Sequence, residues 1–250
     1  IKHMTIHFIG IGGIGVSAVA KYFLFHGAKV SGSDLHQSEI TKELAQRGVK
    51  IFYEHQAQNL DENVQLVVYS PAVPAGDPER VRAEAIGIFC FSYPEFLGLF
   101  SQNKKTIAIA GTNGKSTTTS MIGKILEAAG LDPTVIVGTR VPGWDGNLLV
   151  GQSDWLVVEG CEWKAHMLNL NPQIIVLTDL VLDHTDFYKN IDDLKRRFQG
   201  FIDKLPLENG LLAFNGDDEN LADLMKAKGY KVVNWAVFNK EANNLAQGLA

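Results

Sequence analysis

Cysteine is almost missing from this chain: Cys90 and Cys161 are the only two in 250 residues, far apart and in no metal-ligand spacing. That speaks against a disulfide framework and favours a reducing, cytoplasmic compartment. Long apolar runs are missing too. None reaches the length of a membrane span, and no signal peptide is visible. There is no excess of positive charge. The net charge of −5 argues against a nucleic-acid or membrane-surface partner. No internal repeat and no low-complexity segment stands out. Ile1-Lys2-His3, ahead of Met4, looks like a vector remnant and is left out of the fold reading.

What the chain has is apolar residues in short strand-like runs. At 46% hydrophobic and 20% charged, it is large enough for two α/β domains with substantial cores. Strands and helices alternate. Strands are expected at 49–52, 66–70, 88–91, 134–137, 155–159, 174–178 and 211–215, with helices at 78–84, 94–100, 116–129 and about 191–204. The polar stretch Ser101-Gln102-Asn103-Lys104-Lys105 reads as a hinge, which puts the domains at 4–100 and 101–250. Parallel layering is expected in both.

Two glycine loops carry the chemistry. In the second half, the strand Thr106-Ile107-Ala108-Ile109 empties into Ala110-Gly111-Thr112-Asn113-Gly114-Lys115-Ser116-Thr117 and a helix. Backbone N–H groups and the positive end of that helix suit phosphate; Lys115 adds a point charge, and the Ser116 hydroxyl can ligate Mg²⁺. The common Gly-x₄-Gly-Lys-Ser spacing would need glycine at 109, which is Ile109, so this loop is shorter. Gly-x-x-Gly-Lys-Ser alone also occurs in ordinary strand–helix turns.

The other loop opens the chain. The strand Thr5–Ile9 is followed by Gly10-Ile11-Gly12-Gly13-Ile14-Gly15, an apolar helix that stops at Gly27, a second strand from Ala28, and then Ser33-Asp34. This is the dinucleotide fingerprint, with an acid about 20 positions past the loop for a ribose hydroxyl. It implies a bound diphosphate without saying which; NAD is the default from the loop alone.

Two more clusters sit at strand ends, where α/β proteins place their sites. Val157-Val158-Glu159-Gly160-Cys161-Glu162 ends in two carboxylates, and Thr178-Asp179 is followed by Asp183-His184-Thr185-Asp186. Hard oxygen ligands near a phosphate loop suit Mg²⁺. Taken singly, His184 reads as a capping or surface histidine, and Glu162 and Asp186 as solvated loop charges.

Together, Gly10–Ser17, Ser31-Gly32-Ser33-Asp34, Tyr69-Ser70-Pro71-Ala72-Val73, Gly111–Thr119, Leu131–Gly138 and Asp183-His184-x-Asp186-x-Tyr188 resemble the Mur ligase family, from about Met4 to Asp218. The resemblance implies a Rossmann-like N-terminal domain followed by a P-loop-type α/β ATP-binding central domain. It replaces NAD with a UDP-sugar, held by Gly10, Gly12, Gly13 and Gly15, with Asp34, His55 and Ser70 toward the uridine and diphosphate. It implies ATP at Gly111, Thr112, Asn113, Gly114, Lys115, Ser116 and Thr117. Lys115 and His184 are then catalytic, and Ser116, Glu159 and His184 hold Mg²⁺. The implied reaction is ATP-dependent amide formation through an acyl phosphate, in peptidoglycan precursor synthesis. The first two motifs favour the member that joins UDP-N-acetylmuramate to L-alanine; attachment of a preformed tripeptide to the same sugar nucleotide is the alternative.

The chain departs from the family pattern in places. Glu159-Gly160-Cys161-Glu162 stands for Glu-Ala-Asp-Glu, Thr178-Asp179-Leu180-Val181 for Thr-Asn-Ile-acid, and Asn113 for a histidine. The family also carries a third, C-terminal domain, so the sequence reads as a fragment. On that view it binds UDP-sugar and nucleotide without turnover.

Overall fold

The computed structural model describes residues 1–224 and 231–235. The described residues group into two compact units, residues 1–97 with 138–150, and residues 98–137 with the described residues from 151 on.

The first unit contains β1 (Thr5–Ile9), α1 (Ile14–Phe25), β2 (Lys29–Ser33), α2 (Glu39–Gln46), β3 (Lys50–Phe52), β4 (Leu66–Tyr69), α3 (Pro78–Ala85) and β5 (Phe89–Ser92). Its sheet is parallel, in the order β3-β2-β1-β4-β5. Side chains alternate across the central strand β1. Phe8 meets Phe23 of α1 on one face, while Ile9 packs on the other with Leu60, Val67 and Ala83 of α3. His7 shares that second face and is fully buried. The strand order reverses at β1, the switch point where open α/β sheets seat ligands.

Helix α4 (Tyr93–Ser101) leads to β6 (Lys105–Ala110), α5 (Lys115–Ala128) and β7 (Thr134–Ile136). Residues 138–150, with the two-residue strand β8 (Leu148–Leu149), group with the first unit. The second unit continues through β9 (Trp155–Gly160), β10 (Ile174–Leu177), α6 (Ile191–Ile202), β11 (Leu211–Asn215), α7 (Glu219–Ala222) and β12 (Lys231–Trp235). Its strands run parallel in the order β12-β11-β10-β6-β9-β7. The central β6 is buried from Thr106 to Ala110, as expected for a parallel strand covered on both faces. Most sequence-predicted elements lie within a residue or two of their observed places. Helices α2 and α7 and strands β8 and β12 lie outside the sequence-based expectations, and residues 225–230 and 236–250 lie outside the described residues.

The grouping differs from a single cut at 100/101. Lys21, buried on α1, reaches Asp145 at 3.3 Å and Glu43 at 3.7 Å. Arg47 grips the Asp145 carboxylate with both terminal nitrogens, one at 2.7 Å, and Arg140 meets Glu43 at 2.7 Å. These pairs hold residues 138–150 to α1 and α2. Among the described residues no helix is long and apolar enough to cross a membrane.

Candidate functional site

The phosphate loop of the second unit is set by the end of β6. Gly111 has φ +143°, and a Cβ there would lie 2.0 Å from Thr178 Oγ1, so only glycine fits. The loop is stitched to the segment after β10. Asn113 donates its backbone N–H to Asp179 Oδ1 at 2.7 Å and its side-chain amide to Oδ2 at 2.8 Å. Thr178 Oγ1 donates to the Asn113 carbonyl at 2.6 Å, and Thr112 Oγ1 to the Val181 carbonyl at 2.8 Å. Helix α5 then starts at Lys115 behind Gly114, which is left-handed. Its first turn presents the N–H groups that an anion takes up.

Lys115 Nζ is anchored by the carbonyls of Gly111 (2.7 Å) and Thr112 (3.0 Å) and by Glu162 Oε1 at 3.1 Å. His184 Nε2 lies 3.5 Å from the same oxygen. Glu162 is buried, and its other oxygen, Oε2, has no hydrogen-bond partner. A buried carboxylate oxygen left bare beside a phosphate loop is a place for a cation or a donor from a ligand. A carboxylate oxygen of this kind is a hard donor, the type of ligand that Mg²⁺ takes.

Glu162 is the residue that sequence reasoning undervalued, since it read equally well as a solvated loop charge. Its burial follows from backbone that sequence patterns do not encode. Lys164 and Ala165 are left-handed, at φ 49° and 57°, and fold the chain back just after Glu162. The Tyr188 hydroxyl donates to the Glu162 carbonyl and ties this turn to the 183–188 loop. Burial pushes the Tyr188 phenol up to about 12, so it remains a donor at neutral pH. His184 is itself left-handed, at φ 51°, and sits where it faces Glu162. Asp186 is exposed, as its bland reading had it. The Cys161 thiol is pushed up, first by desolvation and then by Glu162, so it does not stand as a thiolate.

In the first unit the glycine loop, Asp34 and Ser70 come together at the carboxyl ends of β1, β2 and β4. The Ser33 carbonyl accepts from Gly10 N at 2.8 Å and Ile11 N at 3.0 Å, and Asp34 Oδ2 accepts from Gly12 N at 2.8 Å. Gly13 N donates to the Gly10 carbonyl at 3.1 Å. The N–H groups left for a ligand are therefore those of the first turn of α1, from Ile14 on. Gly15 has a different job: a Cβ there would lie 2.6 Å from the Tyr93 ring. A Cβ on Gly10 would crowd Ser70, 2.9 Å from that side chain's own Cβ. His55 instead pairs with Asp77, Nδ1 to Oδ2, at 2.5 Å.

Residues 5–105 match the Mur ligase family, catalytic domain, and residues 109–248 match the Mur ligase middle domain. The chain belongs to the Mur ligase family. This Mur ligase is 42% identical over 239 residues to a UDP-N-acetylmuramate–L-alanine ligase of Clostridium novyi, covering 95% of this chain and 52% of that one. It is 41% identical over 235 residues to the enzyme of that name from Clostridium acetobutylicum, covering 94% and 51%. Among solved structures it resembles the UDP-N-acetylmuramate-alanine ligase of Thermotoga maritima, with a TM-score of 0.81 at 30% identity, over 95% of this chain and 53% of that one. It also resembles the UDP-N-acetylmuramate:L-alanyl-gamma-D-glutamyl-meso-diaminopimelate ligase of Neisseria meningitides, with a TM-score of 0.83 at 25% identity, over 93% and 78%. The chain spans about half the length of the curated relatives it matches. The two parallel α/β units are thus those of an ATP-dependent amide ligase family.

Proposed function

We propose that these units serve a ligase that joins the lactyl carboxylate of UDP-N-acetylmuramate to the amino group of L-alanine in the cytoplasm. The observation that supports it most is the Lys115–Glu162 arrangement: a cation at the start of α5, beside a buried carboxylate with one bare oxygen. Gly111 to Thr117 seat the ATP phosphates, and Lys115 neutralises charge on the phosphoryl in transfer. Ser116, Glu159 and His184, joined by Glu162, are the residues to hold Mg²⁺, which when bound offsets charge on the phosphates. In the first unit Gly10, Gly12 and Gly13 shape the diphosphate seat, and Gly15, at the start of α1, leaves room for Tyr93. Asp34 and Ser70, with His55 by the family resemblance, are assigned to the UDP-sugar.

In this reading the lactyl carboxylate attacks the γ-phosphorus and ADP leaves. The alanine amine then attacks the acyl phosphate, and inorganic phosphate leaves with the bonding electrons. No covalent enzyme nucleophile is needed, in keeping with the neutral Cys161 thiol.

A second reading, in which the acceptor is a preformed tripeptide, is favoured by the likeness to the Neisseria structure. The higher identity to alanine ligases favours the first. Phosphate release by the full-length protein with ATP, Mg²⁺ and UDP-N-acetylmuramate decides between them, with L-alanine, glycine, L-serine and the tripeptide offered separately. Preference for the tripeptide overturns the alanine assignment.

A further inference from the structure

The first unit contains a buried polar network that the proposed chemistry does not use. Glu79, on α3, is fully buried, as is His7 on β1. Glu79 Oε2 accepts from Ser33 Oγ at 2.5 Å and lies 3.3 Å from His7 Nε2; Oε1 accepts from Asn59 Nδ2 at 2.6 Å. His7 Nδ1 meets Ser31 Oγ at 2.9 Å, so Ser31 and Ser33, on one face of β2, are both engaged. Asp77 caps α3, accepting from Glu79 N at 3.0 Å and Arg80 N at 3.3 Å, and pairs with His55. Burial by itself raises the Glu79 carboxyl, but the hydrogen bonds of His7, Ser33 and Asn59 and the charge of His7 together hold the group below its ordinary value. It is therefore a carboxylate, able only to accept.

His55, Asp77 and Glu79 have ligand atoms within 4.8 Å of one another, as a metal site would. Here those oxygens are taken up by Ser33, Asn59, the α3 backbone and His55 itself. His55 Nε2 is buried without a hydrogen-bond partner; the network's oxygens have another outlet.

That outlet is Ser33. Its carbonyl holds Gly10 N and Ile11 N, and the next residue, Asp34, holds Gly12 N. Three successive N–H groups of the glycine loop thus end on the two residues at the tip of β2. The side chain of the first of those residues is fixed by Glu79. We infer that Glu79 is a positioning residue for the diphosphate seat, acting through Ser33 to set where the glycine loop and the start of α1 stand. This rests on the reading of that loop as a diphosphate site. It makes α3, which supplies none of the expected ligand contacts, part of the binding apparatus. A neutral amide at 79 places an N–H₂ against Asn59, Ser33 or His7, and the fixed acceptor pair is lost.

The test is titration calorimetry of the 250-residue chain with UDP as probe, on wild type, Glu79→Gln, Ser33→Ala and the double variant. ADP–Mg²⁺ binding at the second unit is read on the same samples. UDP binding by the wild type is expected to weaken about tenfold in each single variant, the size of one lost buried hydrogen bond. The double variant should be no weaker than the worse single one, because both break the same link. ADP–Mg²⁺ binding should not change. Ser33→Ala removes one hydroxyl and keeps the strand, so the test stands even where Glu79→Gln folds poorly. Unchanged UDP affinity in Ser33→Ala, or additive losses in the double variant, overturns the positioning role. No UDP binding by the wild type instead overturns the diphosphate reading itself.

Discussion

Glu162 holds Lys115 with one buried carboxylate oxygen at 3.1 Å and keeps the other bare. The pair does two jobs. It places the amino group at the head of α5, and it offers an oxygen where a nucleotide-bound cation would arrive.

Replacing Lys115 with alanine leaves Glu162 buried without its counter-charge. Removing one partner of a buried pair costs about 3–5 kcal/mol, and a value near the lower end is expected because Lys115 keeps some exposure. Urea unfolding should show that loss, and most of it should return in Lys115→Met combined with Glu162→Gln. ATP binding by calorimetry should vanish in Lys115→Ala while UDP binding persists. Near-normal ATP affinity would remove Lys115 from the nucleotide site.

Two of the positions at which the chain departs from the family pattern, Asn113 and Asp179, are hydrogen-bonded to each other. Asp179→Asn gives up a two-oxygen acceptor that takes both Asn113 donors. Such charge-assisted bonds contribute about 1.5–3 kcal/mol where buried and less at this partly open place. ATP affinity should fall about tenfold, with UDP affinity unchanged. An unaffected ATP titration would show that the loop keeps its shape without this clamp.

Acid should loosen residues 138–150. The Arg47 hydrogen bond, against desolvation and aided by Lys21, holds the Asp145 carboxyl below its ordinary value of 3.8. A group depressed on folding stabilises the fold above its unfolded value and loses that contribution as pH falls through its folded one. Urea midpoints measured from pH 7 to pH 3 should fall more steeply below pH 4 for the wild type than for Asp145→Asn. Salt should shrink the difference, since both side chains are partly exposed. Parallel acid limbs would mean the pair carries no stability.

Much of this was legible in the sequence where local pattern and local structure coincide. The β6–loop–α5 unit shows itself because a run buried on both faces must be apolar, and a loop against Thr178 must be glycine. Glu162 was not legible, because its burial depends on left-handed Lys164 and Ala165, which carry no glycine to mark the turn. Helix α2 escaped notice for another reason: only Thr41 and Leu44 along it are buried, too few to make an apolar stripe. Lys21 reads as a cation interrupting an apolar helix. Its partner lies 124 residues away, and no window of sequence joins the two.

The excursion at 138–150 means that no single cut in the polypeptide frees the first unit. A gene segment ending near residue 100 would encode Lys21 and Arg47 without Asp145, leaving a buried cation with only Glu43 near it. The two halves of this sequence are in that sense indivisible in heredity: a recombination that exchanged one for a distant cousin's would have to carry thirteen residues from the other side of the boundary with it.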